Sequence, residues 1–348
     1  MHRFVIQSNI YCMKEPMMNN KRRVWVDWMK IFGIFFIIVG HMFPNGYNYI
    51  YVFSVPLFFF ISGYLCHRED SSRLFWKKLL FNLIIPMLCY SVLNYLFIAV
   101  PAVLKGTFDP NTLWRLLVNI FIGNQGENYA RIGLLGMWFV YTLCVLKIIL
   151  QLIPERFETL LFVLLLLLCI SGDIELFNKG IEVFNSWMNV LTAIPFFYIG
   201  YLMRKHNSIL GKKLNIVQIF IALCSIGIIF ICGKNNDTVF MYQARYGSSF
   251  LLFLIGAFSG IYAIYILSKC LNRLDNSFVR NIGGGTLVIL GLHYVIILVL
   301  RMMGVLHNST LLDYTIALLI LFAFYPIIVL VKKHMPLLYG SYRKNISK

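Results

Sequence analysis

From residue 24 to residue 331 the chain is a succession of apolar runs, each separated from the next by a short polar interruption. Stretches of about 17–25 apolar residues, long enough to cross a hydrocarbon core, fall near 24–43, 48–66, 78–101, 133–153, 157–171, 186–203, 214–232, 247–268, 282–303 and 311–331. A single segment in lipid satisfies its backbone hydrogen bonds only as a helix. The predicted class is therefore all-α, a polytopic integral membrane protein with about ten transmembrane helices. The segment 113–123, LWRLLVNIFIG, is too short to cross. It is expected to lie at the interface or to re-enter within the long loop 102–132. The organisation read from the pattern is an N-terminal tail (1–23), one membrane domain (24–331) and a C-terminal tail (332–348). The first twenty residues do not make a signal peptide, because Gln7, Ser8 and Asn9 break their apolar stretch. Met17 or Met18, just before Asn-Asn-Lys-Arg-Arg, reads as an alternative start.

Composition agrees with a bilayer protein: 59% of residues are hydrophobic and 13% are charged, and mean hydropathy is +0.76. The formal charge of +17 changes the picture only through its distribution. Basic residues are scattered between apolar spans, which argues against a nucleic-acid partner and for the positive-inside bias. With the N terminus inside, the outer segments hold only Lys105, Arg115, Arg131, Lys179, Lys234, Arg245 and Arg301. Nearly all other Lys and Arg then fall inside, so both termini are expected in the cytoplasm, and a bacterial inner membrane fits. The eight cysteines form no CxxC pair, so no metal site, redox site or disulfide framework is expected.

Ionisable groups inside a span are costly and mark candidate functional positions. The first span, VWVDWMKIFGIFFIIVGHMF, carries Asp27, Lys30 and His41. At about 100° per residue, Lys30 and His41 fall within roughly 20° of each other, and Asp27 within about 40° of His41. Asp27 and Lys30 are spaced to pair across one turn. Lys30 and His41 are roughly 16 Å apart along the axis, so they cannot touch. One face thus offers a basic group towards the cytoplasm and a proton acceptor towards the outside. A structural ion pair with an interfacial histidine would leave the same pattern.

Asp27-x-x-Lys30-x10-His41 resembles the first-helix signature of the acyltransferase family 3 membrane proteins, in which Arg or Lys precedes the histidine by eleven positions. VPLFFFISGYL (55–65) resembles that family's second-helix FF-x-x-SG motif. MWFV (137–140), PFFYIGYLMRK (195–205) and IGGGTLVILGLH (282–293) are similar to its later motifs, in the same order. Fucose 4-O-acetylase-like O-acetyltransferases are the members it resembles most, although Ser54 and Val55 stand where those relatives often carry His-Met. The resemblance implies transfer of an acyl group, usually acetyl, from cytoplasmic acyl-CoA (acetyl-CoA) to a hydroxyl of a sugar, glycan or polysaccharide. It makes His41 the base, with a covalent acyl-histidine relay as an alternative.

Further candidates follow. Ser62 and Gly63 shape the donor channel or simply allow close helix packing. Arg68 and Arg73, followed by Lys77 and Lys78, hold the phosphates of coenzyme A or are ordinary loop charge. Trp138 stacks on the sugar acceptor or belongs to an aromatic belt. His293, within a span, contacts substrate or makes a core hydrogen bond. Gly283, Gly284 and Gly285 open that helix beside Arg280, and Asp173, Glu175 and Glu182 are outer-side acids. Two rival functions remain at this stage. One is a transporter or flippase for a lipid-linked or small acidic solute, lined by Asp27, Lys30 and His293. The other is an acyltransferase of a different family with His293 as base.

Overall fold

A computed structural model of the chain describes residues 22–123, 134–171, 185–206, 214–243, 245–306 and 309–341. The terminal segments 1–21 and 342–348, and with them the alternative start, lie outside the described residues, as do Asp173, Glu175 and Glu182. The first apolar run forms α1 (Val24–Met42). The second is broken at Val52 and Phe53 into α2 (Tyr47–Tyr51) and α3 (Ser54–Leu65). A long third segment comprises α4 (Ser72–Leu79), a π-helical turn over Leu80–Ile84, and α5 (Ile85–Leu104), with Pro86 tolerated in the first turn of α5. There follow α6 (Asn111–Ile122), α7 (Trp138–Leu152), α8 (Glu155–Ser171), α9 (Asn185–Lys205), α10 (Ile216–Asn235) and α11 (Phe250–Cys270). The last three are α12 (Ser277–Gly284), α13 (Thr286–Met302) and α14 (Thr310–His334).

The protein is an all-α polytopic fold. By length and composition, six of the described segments can cross a bilayer, or seven if α12 and α13, bent by 75° at Gly285, count as one span. α7, at 15 residues, is shorter than a full crossing. The remaining expected spans coincide with α8, of 17 residues, and α9, of 21 residues. α6 exposes Leu113, Trp114, Leu117 and Phe121 while burying Leu116 and Asn119. An amphipathic helix of 12 residues suits an interface and cannot span.

α1 sits at the centre, packed against α3, α11, α12, α13 and α14. Its two ends are fixed by polar contacts. At the first turn, the Trp25 backbone N–H donates to Asn272 Oδ1 at 3.1 Å and the Trp28 indole N–H to the Leu274 carbonyl at 3.1 Å. Arg22 donates to the Arg280 carbonyl at 2.7 Å. The receiving loop is itself braced, since Arg280 donates to both carboxylate oxygens of Asp275 at 2.8 and 2.7 Å. Those bonds hold the Asp275 carboxyl below the usual carboxylate range. At the last turn, Arg301 donates to the His41 carbonyl at 3.3 Å and lies over the Phe43 ring. A cation there complements the helix C-terminus. Phe43 takes a left-handed backbone (φ 58°) to end the helix.

Between α10 and α11 a small hairpin pairs β1 (Val239–Phe240) with β2 (Arg245–Tyr246) in antiparallel register. Asn236 closes its base, donating to the Tyr246 carbonyl and accepting from the Ser249 N–H at 2.8 Å.

Candidate active site

α1 turns one stripe, Lys30, Ile34, Ile37 and His41, towards a cavity of about 530 Å³. These positions recur at helical spacing, so the cofacial placement of Lys30 and His41 expected from the sequence is what the structure has. Opposite runs the α3 stripe containing Ser54, Phe58, Ile61 and Ser62. Gly40 faces Tyr51 and Gly33 faces Phe58, so the two helices run antiparallel in a fixed register. That register sets Ser54 level with Ile37, one turn deeper than His41, and sets Ile61 and Ser62 level with Lys30. At the His41 end the wall is aromatic, built from Tyr51, Trp138, Phe240 and Tyr242. The other end is charged, with His67, Glu69, Lys78 and Lys147.

The His41 ring is surrounded by Tyr51, His293 and Tyr294, at centroid distances of 6.4, 5.1 and 5.7 Å. Tyr51 is held by its hydroxyl, which donates to the Gly40 carbonyl at 3.0 Å. Lys30 Nζ has no hydrogen-bond or ion-pair partner among the described residues. Nor does Lys147. Lys78 and His67 both reach Glu69 Oε1, at 2.6 and 2.8 Å. Ser54 is 1% exposed and its Oγ has no partner. Leaving a buried hydroxyl unbonded costs about 1–3 kcal/mol, and this one stands on the cavity wall.

The family whose model is described as an acyltransferase domain matches residues 23–331. The chain belongs to acyltransferase family 3. No curated protein and no solved structure matches it. This family 3 protein is thus a membrane acyltransferase with several apolar helices. Its cavity joins a basic end to an imidazole end along one helix.

Not every residue singled out in the sequence reaches that cavity. Asp27 does not pair with Lys30: its carboxylate accepts from Arg22 Nε at 2.6 Å, off the cavity wall. Gly283 gives it room, since a Cβ there would strike the Asp27 side chain. Ser62 lines the cavity, whereas Gly63 faces away. A Cβ at Gly63 would collide with the Phe197 carbonyl, and one at Gly200 with the Phe60 carbonyl, so the two glycines are where α3 and α9 touch. Arg68 is engaged elsewhere, donating to the Ile153 carbonyl at 2.6 Å and to Glu158 at 2.7 Å. Lys205 completes that cluster on Glu158 at 3.0 Å. Arg73 is exposed on α4 and does not line the cavity. Trp138 does line it. His293 is fully buried one layer behind the wall, beside His41. Among the described residues no group of three His, Cys, Asp or Glu is arranged to hold a metal.

The sequence also carried signals that went unused. Lys147 interrupts the apolar run Val145-Leu146-Lys147-Ile148-Ile149, the same anomaly that marked Lys30. Ser54 was visible only as a departure from its relatives. The hairpin that brings Phe240 and Tyr242 to the cavity has no comparable signal.

Proposed function

We propose that this acyltransferase moves an acyl group, acetyl first of all, from cytoplasmic acyl-CoA to a hydroxyl of a sugar, glycan or polysaccharide outside, with His41 as the base. In this reading the membrane domain is 24–331 with ten spans, both termini are cytoplasmic, and the membrane is a bacterial inner membrane. The Lys30 end then opens to the cytoplasm and the His41 end to the acceptor. The observation that carries the proposal is the shared stripe: Lys30 and His41 lie at opposite ends of one cavity. A long, phosphorylated thioester needs such a path, with a cation where its charge enters and a base where its carbonyl arrives.

The chemistry follows from these placements. A neutral imidazole at His41 takes the proton of the acceptor hydroxyl as the oxygen attacks the thioester carbonyl. The tetrahedral adduct collapses with loss of the CoA thiolate, which recovers that proton from the imidazolium. The products are the O-acyl ester and free CoA thiol, and no other reactant is needed. Ser54 is placed to donate to the carbonyl oxygen as negative charge gathers on it. The aromatic wall of Tyr51, Trp138, Phe240 and Tyr242 suits the apolar faces of a sugar ring.

Membranes containing the protein, supplied with acetyl-CoA and an oligosaccharide acceptor, are expected to release thiol and to acetylate the acceptor. His41→Ala is expected to abolish both. Thiol release that survives His41→Ala but not His293→Ala would move the base to His293 and overturn this assignment.

A further inference from the structure

His293 is fully buried on α13, and its Nδ1 lies 2.9 Å from the Ile289 carbonyl and 3.1 Å from the Leu290 carbonyl. Carbonyl oxygens only accept, so Nδ1 carries the proton whenever these bonds are made. In the neutral ring Nε2 is then an acceptor, and it is buried with no partner. The backbone of one helix turn has therefore chosen the tautomer, and the lone pair is left aimed away from α13's own carbonyls. The nearest ring is His41, with centroids 5.1 Å apart and planes at 45°. No hydrogen bond joins the two rings as they stand, since Nε2 has no partner. Catalytic hydrogen bonds commonly tighten only when substrate is bound.

The geometry points to His293 as the positioning residue of the acyl transfer: its Nε2 accepts a ring N–H of His41 and so leaves the other His41 nitrogen as the base facing the acceptor hydroxyl. This rests on the function proposed above. It gives His293 the task that a carboxylate performs in Ser-His-Asp triads, holding the tautomer and supporting the imidazolium as it forms. A neutral acceptor does so without placing a second charge in the membrane interior. No proton leaves the pair. His41 gains one from the acceptor hydroxyl and returns it to the thiolate, while the His41–His293 bond stays in place.

The other titratable groups around His41 are Tyr51 and Tyr294, whose rings contact it, and Arg301, which donates to its backbone carbonyl. None of these is fixed as an acceptor. The Tyr51 hydroxyl donates to the Gly40 carbonyl and is anchored on α1 itself, Arg301 has only donors, and His293 alone of these neighbours offers a buried acceptor with no partner. Gly136, on the cavity wall, lies over the Cε1 edge of His293, so the ring is backed by main chain and stands behind the substrate path.

Two variants and one spectroscopic measurement test this. His293→Leu removes the acceptor and keeps the volume; His293→Gln can restore an acceptor near the position of Nε2. His293→Leu is expected to lower kcat about 100-fold with KM for acyl-CoA and acceptor within threefold. Its acid limb should move to lower pH, because an unsupported imidazolium forms less readily. His293→Gln should recover at least tenfold of that loss. In wild-type protein with 15N-labelled histidine, the His293 signals should report a protonated Nδ1 and a hydrogen-bonded, unprotonated Nε2. The His41 signals should change in His293→Leu. Equal kcat losses in Leu and Gln variants with an unmoved acid limb would reduce His293 to a packing residue. A loss confined to acceptor KM would make it a substrate contact. A free Nε2 in the nitrogen spectrum would also overturn the proposal, even if the leucine variant failed to fold. Wild-type protein that shows the coupled histidine signals but turns over no thioester would instead refute the proposed function.

Discussion

Asp27 and Lys30 stand one turn apart on α1, yet the carboxylate is bound to Arg22 at 2.6 Å while the ammonium faces the cavity unpaired. The difference comes from what surrounds each side chain. Arg22 is held beside Asp27 by α12, whose Arg280 carbonyl it also reaches. Lys30 points along the stripe that ends at His41, with Asp27 a neighbouring charge but not an ion-pair partner.

An anionic donor is therefore expected to depend on Lys30 for binding. Lys30→Met should raise the KM for acetyl-CoA roughly 10–100-fold, the worth of one charge-assisted hydrogen bond. Lys30→Arg should stay within a few-fold of wild type. Initial rates of thiol release across acetyl-CoA concentrations measure both, and an unchanged KM in Lys30→Met would remove Lys30 from the donor site.

Asp27 has a different expected signature. It is buried while Arg22 is about half exposed, so Asp27→Asn should cost roughly 1–3 kcal/mol of stability. Its kinetic loss should track the loss of folded protein, read as a lower Tm in detergent. A rise in donor KM with an unaltered Tm would return Asp27 to the active site.

Ser54 is expected to act on the chemical step. Its hydroxyl is buried, unpartnered and one turn below His41. Ser54→Ala should lower kcat by about 10²-fold, the scale of a lost oxyanion donor, with substrate KM values nearly constant. Rapid-quench measurement of the first turnover separates this from slow product release. A first turnover as fast as wild type would show that the hydroxyl does not touch the reacting carbonyl.

Gly63 and Gly200 are expected to govern stability. Each stands where a Cβ would meet the main chain of the other helix, and main chain cannot rotate aside as a side chain does. Gly63→Ala or Gly200→Ala should cost on the order of 3 kcal/mol. The expected readout is a sharp drop in monodisperse protein after detergent extraction. A well-folded Gly63→Ala protein with a raised donor KM would support the channel-shaping role that the resemblance implied.

What was legible in the sequence followed from period and polarity alone. The apolar runs located the helices because lipid leaves the backbone no alternative, and a 3.6-residue period put Lys30 and His41 on one face without any coordinates. Partners distant in sequence were not legible. Arg68 looks like a phosphate ligand until Glu158, ninety positions on, is seen beside it. Gly63 looks like part of a channel until Phe197 is seen against it. His293 read as a core hydrogen bond or a second base. Its Nδ1 contacts lie within its own helix, but its closeness to His41 needs α1 and α13 to pack together. The break at Val52 was hidden too, since it lies inside an apolar run, whereas the glycine run 283–285 marked the helix start where the bend at Gly285 falls.

Lys147 provides the sharpest test of how the donor is held. It lines the charged end of the cavity with no ion partner, whereas Lys78 and His67 share Glu69 and Arg68 is bound to Glu158. Of the lysines that line the cavity, Lys147 and Lys30 are thus the ones without an ion pair among the described residues. If Lys147 meets the phosphates of the donor, Lys147→Ala should raise the KM for acetyl-CoA about tenfold, equivalent to about 1.4 kcal/mol. S-acetyl-N-acetylcysteamine carries the same thioester without phosphates, so its KM should not respond to the substitution. Arg68→Ala should affect both donors equally, and only through the stability lost when Glu158 keeps Lys205 as its remaining cation. If Lys147→Ala weakens both donors alike, the residue shapes the channel rather than binding phosphate. If Arg68→Ala discriminates between them, the phosphate site lies on the Arg68 side, as the sequence pattern first suggested.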